Sequence, residues 1–229
     1  MNAFAANDQF ASPSADLLSE ANHRIANHLA IVASTIQDQI RRIARGPDLL
    51  RREAASKGLH EAVGKIVAIA HLHRRLAKLE PKDSMDICAL LIESVNEIVS
   101  ALSLSDRVHV RQKLHADCQV SADQASALVL MMSEIVTNAI KYAHPTGVPI
   151  QIDIACVHAS DGRVVLEIAD DGVGFPEGFA EDRDGGMGLK LIRALAGRIG
   201  AGLSITSSDL GLTYLLEIPA EKLSQVAAE

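Results

Sequence analysis

The sequence predicts an α+β protein in two parts: a helical hairpin over residues 19–81 and an α/β sandwich over residues 82–229. Three observations carry that expectation. Apolar residues recur at helical spacing through the first part. Pro81 closes that pattern, since proline cannot continue a helix. Beyond it, long helical patterns are interleaved with short period-two runs bounded by turn residues, the signature of helices packed on a sheet.

Residues 1–18 are small and polar and are expected to form a flexible tail. The first helix starts near Ser19, a good N-cap. It carries Ile25, Leu29, Val32, Ile36, Ile40 and Ile43 at spacings of 4, 3, 4, 4 and 3, a seam for helix packing. Arg45-Gly46-Pro47 should stop it. A second helix is expected from about Asp48 to Leu79, with Val63, Ile66, Ala70, Leu72, Leu76 and Leu79 as its apolar stripe. Two helices with one stripe each cannot cover themselves, so the expected completion is a four-helix bundle made by two chains, a homodimer through residues 19–81. In the second part, Asp86–Leu102 and Asp123–Tyr142 read as helices. Pro149–His158 and Arg163–Ala169 read as strands joined at Ser160-Asp161-Gly162. Met187–Ile199 is helical, and Leu203–Ser208 with Leu212–Ile218 should form a hairpin about Asp209-Leu210-Gly211, giving an antiparallel sheet.

Composition narrows the function classes. No apolar run reaches the ~20 residues that span a bilayer, and the N-terminus lacks a basic then apolar secretion signal, so a cytoplasmic protein without a membrane segment is expected. The three cysteines, Cys88, Cys118 and Cys156, are widely spaced among apolar neighbours, which suits buried thiols better than a disulfide frame or a zinc site. The net charge of -7 hides an asymmetry: residues 19–80 hold 11 Lys/Arg against 6 Asp/Glu, and the rest of the chain 11 against 23. With almost no aromatic side chains to stack bases, the basic part points to an acidic protein partner and not to nucleic acid.

Three segments of the second part carry candidate chemistry. Glu134, Asn138 and Lys141 fall at i, i+4 and i+7 of one helix, ahead of Tyr142. A carboxylate, an amide and an ammonium on one face can hold hydrated Mg²⁺ and reach phosphates. Asp170-Asp171-Gly172-Val173-Gly174 follows a strand; its carboxylate can accept from an exocyclic amine, and its glycines let backbone approach a flat base. Gly185-Gly186-Met187-Gly188-Leu189 precedes a helix, where free N–H groups can meet phosphates. Taken singly, each is more often a solvated helix face, a turn or loop punctuation. Their order is more telling. Helix, strand with DxGxG, GxG before a helix, then a strand with Thr213 two residues after a glycine, resembles the Bergerat-type (GHKL) ATP fold of histidine kinases, ninety-kilodalton heat-shock chaperones, gyrase-type topoisomerases and mismatch-repair ATPases. The resemblance implies ATP and Mg²⁺ as cofactors. Asn138 would hold Mg²⁺, with Glu134 beside it as a metal-site and catalytic candidate. Asp170 would take the adenine amino group, and Gly172, Gly174, Gly186 and Gly188 the nucleotide and its lid, residues 175–185. Lys141, Tyr142, Leu189 and Thr213 are carried as further nucleotide-contact candidates.

The first helix selects among those families. Glu20-Ala21-Asn22-His23-Arg24-Ile25-Ala26-Asn27-His28-Leu29 resembles the phosphoacceptor box, E-x-x-H-R-x-x-N-x-L, of the HWE-related, second-type dimerisation family of histidine kinases. Ile66 to Leu76 is similar to that family's I-x-A-I-A-x-x-H-x-x-L, with His73 at its histidine. Two departures stand out: Ala26 replaces the usual lysine, and a chain without Trp cannot carry the Trp-x-Glu element that names the HWE group. Glu20, His23 and Asn27 share a helical face, so Glu20 can orient the imidazole or take its proton, and Arg24 can neutralise the transferred phosphoryl group. The other histidines are scattered and make poor metal sites. The resemblance implies autophosphorylation of His23 from Mg-ATP and transfer to an aspartate of a response-regulator receiver domain. A histidine phosphotransfer protein of the same shape, without kinase activity, is the alternative; intact Asn138, Asp170 and glycines speak against it. A serine kinase of the anti-sigma type would lack the His-bearing hairpin. Histidine kinases usually carry a sensory domain, which the 18 residues before the hairpin are too few to form, so either the signal is expected through a partner or tail, or the chain is expected to work as a common phosphodonor.

Overall fold

The computed structural model describes residues 25–37, 40–41, 52–76, 84–114, 118–144 and 148–219. Residues 25–37 form helix α1 and Arg52–Leu76 form α2. The two run antiparallel: His28 Nδ1 lies 3.2 Å from His73 Nε2, and Lys65 Nζ donates to Thr35 Oγ1 at 2.8 Å. After them come β1 (Met85–Asp86), α3 (Ile87–Ala101), β2 (Val108–Leu114), β3 (Gln119–Val120), α4 (Ala122–Tyr142), β4 (Ile150–His158), β5 (Val164–Asp170), α5 (Glu181–Asp184), α6 (Met187–Arg198), β6 (Gly202–Ser208) and β7 (Gly211–Ile218).

Five strands form one sheet in the order β2-β4-β5-β7-β6, and β1 pairs with β3 separately. The expectation of an antiparallel sheet is corrected at one edge, where β2 pairs parallel with β4, Val108 opposite Ile150. β2 escaped the sequence reading because it is an edge strand: of VHVRQKL only Val108 is buried, so period-two alternation is faint. The other pairings are antiparallel. One face of the sheet buries Ile152, Ile154, Leu166, Ile168, Tyr214 and Leu216 beneath the helices. The opposite face carries polar residues such as Asp153 and Glu167.

α4 is the central helix. Ser121 and Gln124 form a reciprocal capping box at its start. Every residue from Gln124 to Thr137 is buried, because the sheet lies on one side and α2 and α3 on the other. Asp86 caps α3 by accepting from the Cys88 and Ala89 N–H groups.

The hairpin departs from expectation in its packing. Of the expected apolar stripe of α2, Leu72 is buried and Leu76 packs against the core, whereas Val63, Ile66 and Ala70 are exposed; Ala62, Lys65, Ala68 and Ile69 complete the buried side. α2 therefore does find cover within its own chain, against α3 and α4. Polar contacts rim that packing: the Arg74–Glu97 ion pair at 2.6 Å, the Arg75–Glu93 ion pair at 3.6 Å, and His71 Nδ1 lying 3.0 Å from Glu97. On α1, His28, Val32 and Thr35 face inward, while Ile25, Leu29, Ile36 and Ile40 are exposed. Ser19, Ile43, the turn at Arg45-Gly46-Pro47, Asp48, Leu79 and Pro81 lie outside the described residues.

Each cysteine is buried, as its apolar neighbours imply, and the fold brings all three together. Burial pushes the Cys118 thiol up to about 11, while a hydrogen bond from Cys156 lowers Cys88 and correspondingly raises Cys156.

Candidate nucleotide site

The three segments singled out in the sequence meet at one end of the sheet. Asp170 is the last residue of β5, and Thr213 of β7 lies opposite its neighbour Ala169. Asp170 Oδ1 accepts from the Gly172 N–H at 3.0 Å and the Leu212 N–H at 3.3 Å, while Oδ2 accepts no hydrogen bond among the described residues. Burial raises its carboxyl above the ordinary range, partly opposed by those two backbone bonds. A half-buried carboxylate with one oxygen anchored and one spare suits recognition of a neutral amine. Asp171, next in line, accepts from the Gln151 N–H at 2.9 Å and lies 3.1 Å from His144 Nε2, tying the loop to β4 and to the end of α4.

Glycines set how closely the walls approach. A Cβ on Gly172 would fall 2.5 Å from Ala143 Cα, and Val173 N–H donates to the Ala143 carbonyl at 3.0 Å, so this loop lies directly on the end of α4. Gly174, at φ +68°, presses against the Ser208 carbonyl, with Phe175 N–H donating to Ser207 Oγ at 2.8 Å. Gly186 is the N-cap of α6 and supplies no side chain to its N–H groups, so they are available to an outside acceptor. A Cβ on Gly188 would fall 2.6 Å from Glu134 Oε2 and 3.6 Å from Asn138 Nδ2. The GxG turn and the α4 face are thus in contact, as a shared phosphate site requires. Between the two loops, residues 175–185 contain the one-turn helix α5 and a stacked pair, Phe175 and Phe179.

Glu134 sits differently from its neighbours. Its side chain is 1% exposed, and Oε1 lies 2.7 Å from Nζ of Lys65, itself 1% exposed, on α2. The approach is that of an ion pair and not of an aligned hydrogen bond, since Oε1 has no hydrogen-bond partner while the ammonium donates to Thr35. A carboxylate paired with lysine has little left for a hydrated cation. Asn138 is half-buried beside Gly188, and Lys141, three residues further along α4, is partly exposed. Tyr142 is 63% exposed, and Leu189 is buried in the core under α6.

Of the expected phosphoacceptor residues, Asn27 is an exposed residue of α1, and Glu20, His23 and Arg24 lie outside the described residues. Sequence reasoning missed Lys65 and the contact that Gly211 makes with Asp170. A lysine in a helix normally reads as a solvated side chain, and nothing local marks Lys65 otherwise. Gly211 read as a turn residue and as the glycine two places before Thr213, with no contact to Asp170 foreseen, yet at φ +118° a Cβ there would fall 1.8 Å from the Asp170 carbonyl oxygen.

Two family models cover most of the chain: one described as "Histidine kinase" matches residues 20–105, and one described as "Histidine kinase-like ATPase domain" matches residues 102–213. Among curated proteins, the chain is 26% identical over 229 residues to blue-light-activated histidine kinase 2 of Erythrobacter litoralis, covering 93% of this chain and 59% of that protein. It is 29% identical over 179 residues to the sensor histidine kinase PdtaS of Mycobacterium tuberculosis, covering 77% of this chain and 33% of that protein. The chain therefore spans between a third and three-fifths of the length of these relatives. Among solved structures, the histidine kinase domain of an Erythrobacter litoralis blue-light-activated kinase aligns with TM-score 0.59 at 21% identity, over 90% of this chain and 91% of that one. At that identity the likeness is one of fold.

Proposed function

The chain belongs to the histidine kinases, with a phosphoacceptor hairpin and a GHKL-type ATPase domain, and from that premise we propose that it transfers the γ-phosphoryl group of ATP to His23 and then to an aspartate of a response-regulator receiver domain. The observation that carries the proposal is the close approach of the loops bearing Gly172, Gly188 and Gly211 to Asp170, to Asn138 and to the end of α4, with the hairpin helix α2 packed against the same helix α4. Asp170 would take the adenine amine through Oδ2. Asn138 and Lys141 would face the phosphates, with the α6 N-terminus beyond them. Mg²⁺ bound at Asn138 would neutralise charge shared by the β- and γ-phosphates. Glu134 would join it only once Lys65 withdraws, so the packed hairpin is read as a resting arrangement and phosphotransfer as following its release. At the acceptor, Glu20 would orient the His23 ring and Arg24 would offset phosphoryl charge.

We read the chain as a homodimer. Leu29 is 60% and Ile66 48% exposed, and together with Ile25, Ile36, Ile40, Leu59 and Val63 they leave an apolar seam on both hairpin helices, which a second hairpin would cover as a four-helix bundle. The surplus of basic residues in the hairpin suits an acidic receiver surface. No described helix is long and apolar enough to cross a membrane.

Incubation with γ-labelled ATP and Mg²⁺ tests the reading. The protein should acquire a label stable in alkali and labile in acid, as a phosphoramidate is. His23→Ala should remove the label and leave ATP binding intact, and Asn138→Asp should remove the label more than the binding. Persistent labelling of His23→Ala would move the acceptor elsewhere. No labelling from ATP, with uptake from a phosphorylated receiver, would make the chain a phosphotransfer protein.

A further inference from the structure

The chain has three cysteines, and all three meet at one point of the interior. Cys88 lies in the first turn of α3, Cys118 just ahead of β3, and Cys156 on β4 facing the helices. Their Sγ atoms all lie within 4.8 Å of one another, and none of the residues is more than 3% exposed. One buried cysteine is an ordinary small apolar filler. Three drawn sulphur to sulphur from three separate elements make up a ligand shell. Metal–thiolate bonds of about 2.3 Å around a common centre place sulphurs roughly 4 Å apart, a separation this cluster reaches with little movement.

The donor set selects the ion. The group contains sulphur alone, with no histidine or carboxylate in it. The nearby carboxylate of Asp86 is taken up in capping α3, accepting from the Cys88 N–H at 2.9 Å and the Ala89 N–H at 3.4 Å. Three thiolates without nitrogen or oxygen suit a soft d¹⁰ ion in trigonal coordination and are poor ligands for Mg²⁺. A cavity of about 400 Å³ has Cys88 among its lining residues, together with Asp86, Ile92, Glu93, Gln112 and Leu114.

We propose that Cys88, Cys118 and Cys156 form a three-thiolate site for a soft d¹⁰ cation of the copper(I) type, separate from the nucleotide site. The separation follows from register. Cys156 pairs with Leu166, whereas Asp170 pairs with Ile152, four residues along the same strand. Each ligating sulphur releases its thiol proton to solvent as the ion binds. The bound ion would fasten the start of α3 to β4 and to the segment entering β3. α3 also carries Glu93 and Glu97, the residues that hold His71, Arg74 and Arg75 of α2, so the site lies under the platform on which the hairpin rests.

The test uses the full chain, reduced and metal-free under argon, titrated with copper(I) supplied by a chromophoric chelator. One equivalent should be taken from the chelator, X-ray absorption should report sulphur ligands only, and the melting temperature should rise by several degrees. Cys88→Ala and Cys118→Ala should each lower the affinity at least tenfold and abolish the thermal shift, with ATP binding unchanged as the check that both variants fold. Mn²⁺ should produce no such shift in the absence of nucleotide. The proposal is overturned if the wild-type chain takes up no copper(I), if it does so through nitrogen ligands, or if both folded variants keep wild-type affinity.

Discussion

At the scale of single residues, the proposed role of Asp170 would link stability to recognition. Its carboxyl is raised by burial, so ionising it costs the folded state free energy. That cost is absent below the ordinary carboxylate value and grows as pH rises to the raised folded value, above which it is present in full. Asp170→Asn should therefore be as stable as wild type at neutral pH, or more so, in thermal denaturation. It should nevertheless bind ATP about ten- to a hundredfold more weakly, the ~1.5–3 kcal/mol of a hydrogen bond to a charged group. Wild-type affinity should also fall as acid neutralises Asp170, and the variant's should not. Calorimetric titration across pH reads both effects, and undiminished affinity in the variant would remove Asp170 from base recognition. The Lys65–Glu134 pair behaves in the opposite way. Lys65→Met strands a buried carboxylate and should cost about 3–5 kcal/mol in denaturant unfolding. Adding Glu134→Gln should recover much of that loss, because the second change removes the stranded charge. If the double variant is no more stable than Lys65→Met, the two side chains are not coupled.

At the scale of elements, the turn joining β6 and β7 controls the Asp170 loop through steric exclusion. Gly211→Ala adds a methyl group where the Asp170 carbonyl already lies, at a backbone conformation that alanine resists. It should lower both the melting temperature and ATP affinity. Gly178→Ala is the control. It also carries a positive φ, but a Cβ there meets nothing within 4 Å, so it should show backbone strain alone, ~1–3 kcal/mol, with little change in affinity. Equal losses of affinity in the two variants would refute the steric account. α2 shows a different element-scale lesson. Its sequence offers apolar residues on more than one side, and periodicity selected exposed Val63, Ile66 and Ala70 together with buried Leu72. The side that is buried carries Lys65, because Glu134 and Thr35 supply its partners.

At the scale of the whole molecule, the hairpin has two faces with different occupants. One rests on α3 and α4 of its own chain, and the other is the exposed seam of Ile25, Leu29, Ile36, Leu59 and Ile66. Ile36 is 41% exposed, so Ile36→Asp should leave the single chain folded and dissociate the proposed dimer, seen as a halved mass in light scattering with unchanged circular dichroism. A wild-type chain that is monomeric at micromolar concentration would refute the assembly. Lys65→Met with Glu134→Gln should not alter that mass, since the pair lies on the other face.

The sequence by itself determined the two-part order, the long helices, four of the five main strands and the three motifs of the candidate nucleotide site. Each is written in a local period or a short spacing: Ser121 with Gln124 at the start of α4, Asp170 to Gly174 after β5, and Gly186 to Gly188 before α6. What only the tertiary structure decided are relations between segments distant in the chain. The parallel pairing of β2 depends on the neighbour it finds, because its own residues alternate too weakly to declare a face. Burial of Lys65 depends on a carboxylate 69 positions away. The meeting of Cys88, Cys118 and Cys156 depends on how a helix start, a loop and a strand converge. Local periodicity reports which face of an element avoids water. It carries no information about which polar or sulphur groups that face will meet, since such pairings are set by packing across the core.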